Sequence, residues 1–136
     1  MKKLLVLVVL ISSIKIFSQE TVVVKPETNP SNDTVYEKVD KIPEYPGGIN
    51  AFRTNFSKTF DGSKINAKGM IKSEAQFVIS KEGIITDIVI IGANKSMNKE
   101  MERSIKAMSK TKWIPAEING QYVKYKFKLP ITMNFE

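Results

Sequence analysis

The chain has 136 residues, 42% of them hydrophobic, with 21 basic against 14 acidic side chains and neither histidine nor cysteine. That length holds one domain with its own core, and the missing His and Cys remove the usual general base, the thiol nucleophile, disulfides and most zinc or copper sites. The formal charge of +7 falls to +4 without Lys2, Lys3 and Lys15 of the leader, and the remaining lysines are scattered with only Arg53 and Arg103 beside them, unlike the concentrated basic and aromatic surface of a nucleic-acid reader.

Residues 1–19 read as a cleavable signal peptide: Lys2 and Lys3 precede the unbroken apolar run Leu4 to Ile11, and Ser12 to Gln19 forms a polar end. A membrane span needs about 20 apolar residues, and Ser12, Ser13 and Lys15 interrupt this one earlier. Export to the periplasm is the expectation, and an uncleaved inner-membrane anchor the alternative. Residues 20–34 hold the short run Val22-Val23-Val24 and then a polar, proline-bearing stretch, a flexible lead-in that cannot build a core.

The domain is expected over residues 35–136. Val35 to Val39 alternates weakly, and Pro43-Glu44-Tyr45-Pro46-Gly47-Gly48 imposes an extended segment and a turn. Ile49, Phe52, Phe56 and Phe60 then mark one face of a helix from about Gly48 to Thr59. After the break at Asp61-Gly62-Ser63-Lys64, Ala75 to Ser80 and Ile84 to Ile91 form a hairpin about Lys81-Glu82-Gly83. The second of these strands does not alternate cleanly. It is expected at a central place in the sheet, covered on both faces or bulged near Thr86.

A second helix follows Gly92-Ala93-Asn94, with Met97, Met101, Ile105 and Met108 on its inner face, Glu100 and Glu102 near its start and lysines near its end, an order that suits the helix dipole. Trp113-Ile114-Pro115 stops it, and Asn119-Gly120 signals a turn. From Val123 onward apolar residues occupy every second position to Phe135, so the last segment is a strand with one buried face. Pro130 has no N–H for a ladder, which puts at least that part at a sheet edge. The pieces describe an α+β domain, two helices packed on a small antiparallel β-sheet.

Few residues invite chemistry. Asp87 lies among isoleucines, where a buried carboxylate becomes a candidate acid, but no partner is placed for it and an aspartate at a bulge is the plainer reading. Gly47-Gly48 lacks the Gly-Lys-Ser/Thr ending of a phosphate cradle. The methionine stripe and Trp113 read as core. No catalytic, cofactor or metal residues are assigned. Lys124, Lys126 and Lys128 fit two readings equally, guards against edge pairing or guides for an acidic partner segment.

The order of these motifs resembles the C-terminal domain of the TonB family in its stand-alone, Bacteroidetes-type periplasmic form. The resemblance rests on Pro43 to Gly48 with Ala51 and Phe52, Phe77 to Gly83, Ile85 to Ile88, Trp113 to Ala116, Asn119-Gly120, and Val123, Phe127, Leu129-Pro130-Ile131 and Phe135. It covers Val35 to Phe135, and it departs where the family's second helix commonly begins with leucine and an acid, here Met97 and Asn98.

It implies a protein-binding module of the outer-membrane transport system, not an enzyme, which docks an extended TonB-box-like peptide of a TonB-dependent transporter or related envelope protein by strand addition. The implied docking ladder is Tyr122, Val123, Lys124, Tyr125, Lys126, Phe127, Lys128 and Leu129, and Lys126→Pro is the natural probe if its N–H faces outward. The lead-in reaches only about 60 Å when extended, so force transduction from the inner membrane is not expected of a secreted form. A membrane-anchored mini-transducer and a scaffold module that homodimerises through the same edge are the alternatives.

Overall fold

The computed structural model describes residues 33–136, so the leader and the lead-in up to Asn32 lie outside the described residues. The elements are β1 (Val35–Tyr36), α1 (Ile49–Thr59), a 3₁₀ turn (Gly62–Lys64), β2 (Gly69–Ile79), β3 (Ile85–Gly92), α2 (Lys95–Met108), β4 (Ala116–Ile118) and β5 (Gln121–Phe135). The sheet runs β1-β5-β2-β3, with β4 also on β5. Its pairs are antiparallel except β1 with β5, which is parallel, so the sheet is mixed and the class is α+β.

The alternating residues of β5 and β2 turn one face to the helices. Phe52 and Phe56 of α1 and Met97, Met101, Ile105 and Met108 of α2 are buried against Ala75, Phe77, Ile79 and Leu129 of that face. Trp113, 3% exposed, stands among four rings whose centroids lie 5.1 to 6.4 Å away, those of Tyr45, Phe52, Phe77 and Phe127. The Asn119-Gly120 turn joins β4 to β5 with both residues at positive φ, 51° and 74°, as a two-residue type I′ hairpin requires.

Three expectations are corrected. β2 begins at Gly69 rather than near Ala75, because the far end of β5 pairs with it down to Gly69 opposite Phe135. β3 is not central: it pairs with β2 alone and forms the far edge. Its register with β2 shifts between Gln76 and Val78, which face Val89 and Thr86. Two residues, Asp87 and Ile88, therefore oppose Phe77 alone, with Asp87 at φ 51°, a bulge beside the expected place. Finally, α2 begins at Lys95 with no acid in its first turn. The Asn94 side chain caps it by accepting from the Met97 N–H at 2.9 Å.

Glu100 has a tertiary role instead. Only 3% exposed, its carboxylate accepts from the Asp61 N–H (2.9 Å) and from the Arg103 guanidinium, while Arg103 also donates to the Thr59 carbonyl at 2.6 Å. These bonds tie α2 to the end of α1. The Arg103 hydrogen bonds, with the Asp61 N–H assisting against burial, hold the Glu100 carboxyl down to about 2 from its ordinary 4.5.

A carboxyl that titrates lower in the folded chain stabilises the fold fully above its unfolded pKa and loses that contribution as pH falls toward the folded one. Acid titration of stability between pH 4.5 and 2 is therefore expected to show a loss of roughly 2 kcal/mol, allowing for solvent around half-exposed Arg103. Glu100→Gln should flatten that part of the curve. An unchanged slope in chemical denaturation of the variant would remove Glu100 as its source.

Candidate functional site

The geometry of the β5 edge follows from one pair. Glu74 of β2 stands opposite Pro130, and a proline cannot exchange the two bonds of a hydrogen-bonded antiparallel pair. This pair is therefore the open type, and the backbone polar groups of Pro130 point away from β2. The β2–β5 register runs without a shift from Gly69–Phe135 to Ile79–Tyr125, so the N–H and C=O groups of the even-numbered residues 126, 128, 132 and 134 point outward too.

Part of that outward side is already used. Lys124 and Tyr125 lie opposite Val35 and Tyr36 of β1, whereas β4, with Glu117 and Ala116 opposite Tyr122 and Val123, continues the side held by β2, since the two-residue turn makes Gln121 and Val123 its hydrogen-bonded partners. Because Tyr125 faces β2, the parallel ladder must run from Tyr36 to the residues flanking Tyr125, and the Lys126 N–H donates to the Tyr36 carbonyl. Of the expected docking ladder, the stretch from Lys124 to Lys126 is thus covered on that side by β1, while among the described residues no strand pairs there with Phe127, Lys128 or Leu129. Among the described residues the open edge runs on to Phe135, and the outward N–H groups of Lys128, Thr132 and Asn134 have no strand partner there. Lys126→Pro would disturb β1, and the probing position moves to Lys128.

Beside this edge lies an apolar cleft of about 390 Å³, walled by Phe52 and Phe56 of α1 and by Phe127, Leu129 and Ile131 of β5. A second cleft of about 650 Å³ adjoins it beneath Pro43 to Gly48, with Trp113, Ile114 and Tyr125 on its walls. Ile49, Arg53 and Phe127 line both, so the two clefts adjoin at these residues. Arg53 is exposed and has no ion pair among the described residues.

The Pro-Glu-Tyr-Pro-Gly-Gly segment shapes the mouth. Glu44 exchanges backbone bonds with Ile114 at 2.9 and 2.8 Å, and the Gly48 N–H closes a turn on the Tyr45 carbonyl at 2.7 Å. Tyr45, 6% exposed, packs edge-on against Phe52 and Trp113, and its hydroxyl accepts from the Asn55 amide at 3.0 Å. Pro43 and Tyr45 are thus buried in the wall of the cleft, while Glu44, Pro46, Gly47 and Gly48 are exposed at its mouth.

Comparison with protein-family models, characterised proteins and solved structures finds no match.

The lysine stripe is partly spent inside the molecule, since Lys126 and Lys128 lie 3.7 and 3.4 Å from the Glu37 carboxylate just after β1. Asp87 is exposed at its bulge, where the Thr86 hydroxyl donates to it at 3.2 Å. Among the described residues no group of three or more Asp or Glu side chains is placed to hold a metal ion. Reading the chain alone passed over Arg53 and the cleft walls. Arg53 follows Phe52 directly, so it stands at the rim of the buried helical face, and that adjacency was the available signal.

Proposed function

We propose that the protein is a peptide-binding module of the cell envelope, which takes an extended segment of a TonB-dependent outer-membrane transporter or a related envelope protein as an added strand on β5, from Phe127 to Phe135. The observation that carries this reading is the open backbone edge beyond β1, flanked by an apolar cleft. Main-chain bonds to Lys128, Thr132 and Asn134 would supply the grip, and every second side chain of the guest would enter the cleft. The family resemblance names the partner class, and the exported leader would put the module where such transporters present their periplasmic ends.

Lys128→Pro removes an outward N–H that no neighbour among the described residues uses and puts a ring against the incoming strand, while Pro130 already stands two residues on in the same orientation. Titration with peptides copied from the periplasmic N-terminal segments of TonB-dependent transporters is expected to show binding at least about tenfold weaker in the variant, the worth of one or two main-chain bonds. Far-UV spectrum and melting should barely move. Equal affinity in a folded Lys128→Pro chain would end the strand-addition reading.

A further inference from the structure

The sheet has a second edge with the opposite character. β5 carries Lys124, Lys126, Lys128 and Pro130, the devices that discourage edge-to-edge pairing, whereas Ile85-Thr86-Asp87-Ile88-Val89-Ile90-Ile91-Gly92 of β3 has neither lysine nor proline. On the face away from the helices Val89 and Ile91 are each 54% exposed.

The backbone of β3 has a defined polarity. Odd-numbered residues of β2 bond β5 around Pro130, so its even-numbered residues face β3, as the Ser80 N–H donating to the Ile84 carbonyl at 2.9 Å also shows. Glu74–Ile91 and Gln76–Val89 are therefore the hydrogen-bonded pairs, and Ile88, Ile90 and Gly92 turn their N–H and C=O outward. Among the described residues only the Gly92 carbonyl has a partner there, the Asn98 side-chain amide at 2.8 Å.

We propose that a second copy of this chain docks on this edge, β3 against β3 antiparallel about a two-fold axis at Ile90. A strand with an outward-facing residue at its centre is self-complementary in that arrangement. Ile90 exchanges both bonds with the partner's Ile90, and Ile88 with the partner's Gly92. Val89 then stands opposite the partner's Ile91, and Ile91 opposite the partner's Val89, in close pairs that cover the two most exposed apolar side chains of the strand.

Charge agrees with the same register. It carries Asp87, the single charge on β3, toward the partner's Ala93 and the adjoining start of α2, where Lys95 and the helix N-terminus are positive, and it sets no like charges opposite one another. The product is one doubled sheet, with the two open β5 edges at its far ends. Two peptide-binding edges held on one body would engage paired partner segments with avidity.

Sedimentation equilibrium of the exported chain over a concentration series tests this. The wild-type chain is expected to dimerise reversibly, and two variants to shift the dissociation constant upward by at least about tenfold: Ile90→Pro, which removes an N–H that no neighbour among the described residues uses, and the double variant Val89→Lys with Ile91→Lys, which sets lysines opposite one another. Lys128→Pro should dimerise as the wild type does. A wild-type chain that stays monomeric at millimolar concentration, or a dimer that survives in a folded double-lysine variant, overturns the proposal. So does a dimer lost in Lys128→Pro alone.

Discussion

A Gly83→Ala chain is expected to be destabilised by about 3 kcal/mol or more, enough to leave much of it unfolded at 37 °C. A Cβ at this position would lie 1.9 Å from the Trp113 carbonyl oxygen and 2.9 Å from its carbonyl carbon, backbone atoms with no side-chain freedom to yield. The φ of 81° adds strain for any L side chain. Relief would require the hairpin turn to withdraw from Trp113, breaking the bond from the Trp113 N–H to the Gly83 carbonyl (2.9 Å) and loosening the indole from the aromatic cluster. The measurement is urea unfolding followed by Trp113 fluorescence, its signal specific because the chain has one tryptophan. A midpoint within experimental error of the wild type would mean that turn and indole are not locked together.

Phe52→Ala is expected to cost about 3 to 5 kcal/mol, the range for deleting a fully buried aromatic ring. Phe52 has no exposed surface and lies within 6.5 Å, centroid to centroid, of the rings of Tyr45, Phe56, Phe77, Trp113 and Phe127. It joins the sheet, α1 and the segment before it, so little can move in to fill the space. Its loss should also widen the cleft that Phe52 shares with Phe127, so peptide affinity should fall even under conditions where the variant is folded. A melting temperature lowered by only a few degrees would show that the cluster repacks, which the mutual contact of the remaining rings argues against.

The alternation from Val123 to Phe135 made β5 legible, because a long strand with one buried face writes a period of two into the chain. Pro130 likewise placed the edge, and its orientation in the structure fixes which amides are free. What did not show was that β1 covers the first part of that edge. It spans two residues, too short for any period to register. β3 misled for another reason: the bulge at Asp87 shifts the inside-outside alternation by one, so a run that reads as covered on both faces leaves Val89 and Ile91 in solvent. Glu100 was legible only as a helix charge, since its burial depends on Asp61 and Thr59, which are distant in sequence.

The proposed role rests on β5 beyond β1 receiving a strand, and amide hydrogen exchange reads that edge residue by residue. In the free protein the Lys126 amide should already be protected by Tyr36, while those of Lys128, Thr132 and Asn134 exchange quickly. Saturating transporter-derived peptide should slow exchange at those three amides and leave Ile88 and Ile90 of β3 unchanged. Protection that appears elsewhere, with Lys128, Thr132 and Asn134 still exchanging as in the free chain, would contradict the account.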